Sequence, residues 1–323
     1  MADPHLWDQC FAATENCGAW PKQFAMLSRM HGAGYRAVSI TVAYDPDDAL
    51  TALNRITLWR QLVRDNQDRY RLLLESEDAG AARASGHLAV NFHFQGTTPF
   101  GRDLGLVETF YALGVRFALL TYNRRNHAAD GCHDIADVGL SDFGRDLIVE
   151  MQRTGMIVDL SHTGTRSALQ AFERAKRPMI YSHANAHALM PHDRNITDEL
   201  AKACAATGGV IGVNGVNAYL AEGPATADCM FAHIDHWVTL LGPQHVGIGS
   251  DCVTDMTRTY ESMAARAAEW PADQGYHTGD LSTCMPEDIA ALRGRMNAAG
   301  YPADAVDGIM GGNWQRIANA CWS

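Results

Sequence analysis

Two Ser-His dipeptides, Ser161-His162 and Ser182-His183, each close a short apolar run, and a third run ends in Gly249-Ser250-Asp251. Neutral imidazole and carboxylate are donors that suit zinc, so these residues would hold a divalent ion if the fold brought the run ends together. The alternative is that both histidines are rim residues satisfied by hydrogen bonds. Gln95, Tyr122 and Asn214 stand at or beside the ends of three more such runs.

The elements that must position them are short and β-rich: Leu6 to Phe11, Tyr35 to Val42, Leu88 to Phe94, Val115 to Thr121, Met156 to Leu160, Met179 to Ser182, Val210 to Val213 and Val246 to Gly249. Helical patterns separate them. The run from Thr165 puts Ala168, Leu169 and Phe172 on one face before Pro178, and the run from Thr197 stops at Gly208-Gly209. This alternation predicts the α/β class and a closed eight-stranded parallel (β/α)8 TIM-type barrel, whose chemistry sits at the carboxyl ends of the strands. No Pro/Ser linker or repeat divides the chain, so one barrel domain over 1–323 is expected. The polar stretch 123–137 and the Gly/Pro/Thr-rich stretch 254–283 read as barrel-top insertions.

Composition narrows the partners. Against 37 acidic residues stand 26 basic ones, a net charge of −11 that repels phosphate backbones and anionic lipid. Nucleic acid and membrane are therefore excluded as expected partners, leaving a small-molecule substrate and, undecided, association with identical copies. Neither a leader pattern nor a run of apolar residues long enough to span a bilayer is present, and the eight cysteines form no CxxC pair. These features predict reduced thiols in a cytoplasmic protein.

Longer motifs carry a resemblance. Leu140-Ser-Asp-Phe-Gly-Arg-Asp, Met156-Ile-Val-Asp-Leu-Ser-His162, Ser182-His183, His192-Asp-Arg-Asn195, Gly247-Ile-Gly-Ser-Asp251 and Gly311-Gly-Asn-Trp together resemble the membrane (renal) dipeptidase family of zinc peptidases. The resemblance spans about residues 88 to 323. It implies a barrel with two bridged zinc ions that hydrolyses dipeptides, including some with a D-residue on the C-terminal side. On matching positions it implies that His162 and His183 ligate one zinc, that Asp251 is the acid/base carboxylate, and that Arg194 receives the substrate's carboxylate. A guanidinium fork suits that last role; its loop position alone suggests a surface ion pair instead. Asn214 is assigned beside Arg194 on the substrate side.

Four positions depart from the family pattern. Where the family has Asp-x-His-x-Asp on its first strand, this chain has Asp8-Gln9-Cys10-Phe11-Ala12; the bridging glutamate falls at Gln95, and a histidine that contacts the scissile carbonyl falls at Tyr122. Two dications about 3.5 Å apart repel by roughly 20 kcal/mol at an effective dielectric of about 20, and carboxylate ligands must offset that. With Asp251 alone remaining, a single divalent ion is expected, zinc by donor type, on His162 and His183 with water, Gln95 or Asp251 completing the shell. Cys10 reads either as a further ligand or as a buried barrel-floor thiol. His93 reads as core with one satisfied nitrogen, and His187 and His192 as loop residues flanking Arg194.

The expected chemistry is hydrolysis of an amide by metal-activated water, with Asp251 taking the proton and the Tyr122 hydroxyl supporting the oxyanion. Two alternatives stay open: a diverged isomerase, lyase or cyclic-amide hydrolase on the same barrel, and an inactive small-molecule binding protein.

Overall fold

A computed structural model describes residues 5–322; residues 1–4 and 323 of the expected span lie outside it. Strands β1 (Leu6–Phe11), β2 (Tyr35–Tyr44), β3 (Tyr70–Leu72), β4 (Leu88–Gln95), β5 (Val115–Leu119), β6 (Ile157–Asp159), β7 (Ile211–Val213) and β8 (Val246–Ile248) are all parallel, in the order β6-β5-β4-β2-β1-β8-β7. Bridges from Asp159 to Ile180 and from Tyr181 to Ile211 close the ring. The fold is a TIM-type barrel.

Two features differ from the sequence expectation. The stave at 179–182 pairs only through those bridges. Its Ser182 carbonyl is pressed against the next staves so closely that a Cβ at Gly249 would lie 1.8 Å from it, and one at Gly212 2.0 Å. Strand β3 was not foreseen. It takes the edge of β4 along Leu88–Val90, and β5 takes the same edge from Phe92 onward.

Alternation grades the barrel interior. On β2 and β4 one face reads Ala37, Ser39, Thr41 and Ala89, Asn91, His93, Gln95, apolar at the amino end and polar at the carboxyl end, all buried. Trp7, Phe117, Ile157, Ile180 and Trp314 fill the apolar end. Helices pack outside through residues such as Trp59, Met151, Ile234 and Leu292. On β1, Asp8 pairs with Val38 but Phe11 with Ile40, so Gln9 and Cys10 oppose one residue of β2. This bulge re-aims Cys10 toward the mouth.

The stretch 123–137 is irregular and is tied down by the bridge Gly131 to Thr163. That at 254–283 contains the helix Met256–Ala265 and two 3-10 turns. Among the described residues, no helix is long and apolar enough to cross a membrane.

Gly249→Ala must displace the Ser182 carbonyl, a backbone atom that cannot swing aside. It is expected to cost at least about 3 kcal/mol, read as a lower urea midpoint at unchanged slope. Gly80, in the helix Ser76–Ser85 with nothing near its missing Cβ, is the opposite case. Gly80→Ala should gain about 0.5–1 kcal/mol.

Candidate metal centre and active site

Two buried aspartates organise the mouth. Asp159 Oδ1 accepts the backbone N–H of Ser161 at 2.9 Å and of Ser182 at 3.1 Å, clasping the two strand ends that carry His162 and His183. Asp8 Oδ1 accepts the N–H of Cys10 at 3.1 Å and of Ser250 at 2.8 Å, clasping those that carry Cys10 and Asp251. Burial pushes the Asp8 carboxyl up to about 6, against the pull of its Ser250 and Cys10 hydrogen bonds. The repeated Asp-x-Cys and Asp-x-Ser spacing was visible in the sequence; its meaning depended on which strands are neighbours.

Past the clasps the backbone turns sharply. Asn123, His162 and Asp251 have φ of +58°, +64° and +53°, and they are the non-glycine residues with positive φ among the described residues. Such conformations cost about 1–2 kcal/mol each. Their gathering at one mouth marks the site independently of residue type.

His162 Nδ1 lies 2.6 Å from Asn123 Oδ1, while Asn123 Nδ2 donates to the Glu269 carbonyl at 3.2 Å. The amide oxygen therefore faces the ring, Nδ1 carries the proton, and Nε2 presents a lone pair. That Nε2 is 3.1 Å from His183 Nε2, and His183 Nδ1 is 2.6 Å from Ser182 Oγ. Burial first, then the nearby Arg194 charge, holds both imidazoles well below their usual pKa, so both are neutral. Two nitrogens bonded at 2.0–2.1 Å to a tetrahedral ion stand about 3.3 Å apart, close to the spacing here.

Cys10 Sγ, a His183 ring nitrogen and an Asp251 carboxylate oxygen lie within 4.8 Å of one another. Asp251 is half-buried; burial raises its pKa while Arg194 and the hydrogen bonds of Asn214 and Cys10 oppose the rise. The neutral His183 imidazole, a thiol and a carboxylate around one volume fit a divalent cation, and His162 adjoins that group through its 3.1 Å approach to His183. Gln95 has other partners: its Nε2 donates to Thr41 Oγ1 at 3.0 Å and to Cys10 at 3.4 Å, turning a donor rather than an oxygen toward the cluster. Asn214 donates to Asp251 Oδ2 at 3.2 Å and so orients that carboxylate.

Arg194 is buried, 2 % exposed, which removes the surface ion-pair reading. Its Nη2 donates to the His183 carbonyl at 2.7 Å, its Nε is buried without a partner, and among the described residues no carboxylate pairs with it. The Tyr122 ring stacks on His162, centroids 4.3 Å apart, and burial keeps its hydroxyl protonated. His93 differs from expectation in having both nitrogens partnered, Nδ1 to Ser39 and Nε2 to Thr41, each at 2.9 Å. His192 is buried and accepts the Arg194 N–H at 3.0 Å, whereas His187 is exposed. Above the cluster opens a cavity reached by Asp251, Gln95 and Tyr122 and walled by Met256, Met263 and Trp270 of the stretch 254–283, while Arg194 and His162 line a separate small cavity with Thr163 and Asp193.

The sequence model of the membrane dipeptidase family, peptidase family M19, matches residues 10–263. The chain belongs to this family. A Klebsiella pneumoniae protein encoded in the pqqA 5′ region is 31 % identical over 87 % of this chain and 99 % of its own length. Dipeptidase tcpJ of Claviceps purpurea is 31 % identical over 81 % of the chain, which spans only 58 % of that longer protein. Among solved structures, an amidohydrolase from Pseudomonas aeruginosa superposes with a TM-score of 0.86 at 28 % identity, covering 99 % of this chain and 97 % of that one. Family membership makes the chain a metallohydrolase of dipeptidase type.

Asp159→Ala strips two buried N–H donors of their acceptor and should cost about 2–4 kcal/mol, with loss of bound metal. Asp159→Asn keeps an acceptor oxygen and should retain most of both. Urea unfolding and elemental analysis check the pair.

Proposed function

We propose that the chain is a single-metal dipeptidase that cleaves the amide bond of a dipeptide or related small carboxylate-bearing amide. The observation that carries this is the buried Arg194 guanidinium, paired with no carboxylate among the described residues and packed against the backbone of the same His183 that faces His162 and Asp251. A site with that pairing has a receptor for a free carboxylate on the same small cavity as His162, a donor suited to a divalent ion, as a dipeptide with a free carboxylate beside its scissile amide requires.

His162 and His183 would hold the ion, zinc by donor chemistry, with Asp251 beside them. When bound, such an ion acidifies water and polarises a carbonyl. Asp251, held by Asn214 and with its pKa raised by burial, accepts the proton from the attacking water and later delivers it to the leaving amine. Tyr122 keeps its proton and offers a hydroxyl from the cavity side to the developing oxyanion. Arg194 anchors the C-terminal carboxylate, and the apolar wall excludes bulk water. The naming of tcpJ as a dipeptidase supports the substrate class. Eight unpaired thiols support a reducing compartment.

A panel of L-L and L-D dipeptides, each as free acid and as amide, tests the reading with zinc present and after chelation. Turnover should require metal and favour the free acids. Asp251→Asn should lower kcat about 10²–10⁴-fold. Arg194→Met should erase most of the preference for free acid over amide, about 10–10²-fold. Chelator-resistant turnover, or an Arg194→Met enzyme as selective as the parent, would sink the proposal.

A further inference from the structure

We propose that Cys10 is a metal ligand, its sulfur joining His183 and Asp251 in a thiolate-containing site for a single ion. The inference rests on the metal-dependent reading above and names a donor that reading does not use.

Placement, surroundings and charge each point to Cys10. The first is placement: Sγ, His183 nitrogen and Asp251 oxygen form one cluster within 4.8 Å, with Cys10 Sγ 3.5 Å from Asp251 Oδ1. The bulge at Gln9 and Cys10 and the Asp8 hydrogen bond to the Cys10 N–H fix that direction. The second is surroundings. Cys204 is packed in the apolar core, its Sγ near the carbonyls of Met179 and Val210, as an inert thiol is. Cys10 instead meets a carboxylate, an amide donor from Gln95 at 3.4 Å and an imidazole nitrogen of His93 at 3.9 Å. His93 is committed through both nitrogens to Ser39 and Thr41, so it does not compete for the ion.

The third is charge. Neutral histidines contribute nothing toward a dication, and Asp251 supplies one negative charge. A thiolate supplies the second without a bridging carboxylate. The exchange balances simply: the Cys10 S–H bond breaks, the sulfur keeps the electron pair and bonds the ion, and the proton leaves to solvent; His183 binds through its Nε2 lone pair with no proton change. Sulfur donation favours zinc, cobalt or cadmium over magnesium or manganese.

Cobalt(II) titration of the full chain reads this directly. The parent should develop a near-ultraviolet sulfur-to-cobalt charge-transfer band that saturates at one equivalent, with release of about one proton per ion. Cys10→Ser and Cys10→Ala, verified as folded by circular dichroism, should lose the band and the proton release. A cobalt-loaded parent without the band, a parent that takes up no cobalt, or variants that keep the band overturn the assignment. Dipeptide turnover without the band removes the sulfur ligand and leaves the hydrolase reading standing; the band without turnover does the reverse.

Discussion

The mouth of this barrel depends on one kind of contact, a buried carboxylate accepting backbone N–H groups from two neighbouring strand ends. Parallel strands that turn inward leave N–H donors with no ladder partner, and buried donors must be satisfied. Asp8 and Asp159 do this symmetrically, each serving its own strand and the next one around. The arrangement is electrostatically demanding. Burial raises both carboxyl groups above the ordinary aspartate range despite these hydrogen bonds. With Asp251, which is half-buried, they set three acids beside two imidazoles and one guanidinium, so the acids outnumber the cation. A dication is the complement of that field, which is why the clasps, built of backbone geometry, also bear on metal binding.

Strand ends were the part of the site that sequence made legible. His162, His183 and Asp251 each terminate a β-rich run, and in a parallel barrel such residues converge whatever their identity. Asn123, Asp8 and Asp159 were not legible, because their roles lie in bonds to partners 23 to 242 residues away. The same reason explains the fold's two surprises. Tyr70–Leu72 is too short to show a period and exists because β4 offers it an edge. The stave at 179–182 has strand composition, yet its closeness to Gly212 and Gly249 leaves it with bridges instead of a ladder. Arg194 shows the converse: a loop position predicts exposure, and only the packing of the loop under Tyr219, 5.8 Å from the guanidinium, buries it.

The fold divides labour between the strand ends and the stretch 254–283. Polar residues from the strand ends form the floor, while Met256, Met263 and Trp270 from the stretch 254–283 form an apolar wall above it. An apolar wall lowers the local dielectric and so strengthens the electrostatic interactions of Asp251, which lines the same cavity.

The departures at Cys10 and Gln95 are best understood as one change. In the structure the two side chains are 3.4 Å apart, with the amide donating toward sulfur. A carboxylate at position 95 would set a second negative charge beside Asp251 and repel a thiolate at position 10; a neutral donor there accommodates one. In the proposed site, replacing histidine with cysteine adds a negative charge to the cluster and replacing glutamate with glutamine removes one, so these two changes offset each other. Ala12, where the family has an aspartate, removes another acid and instead lines the cavity. Taken together, the three substitutions lower the acid count of the family pattern by one, which accords with the proposed single-ion site and makes them more coherent as a remodelled metal site than as piecemeal decay.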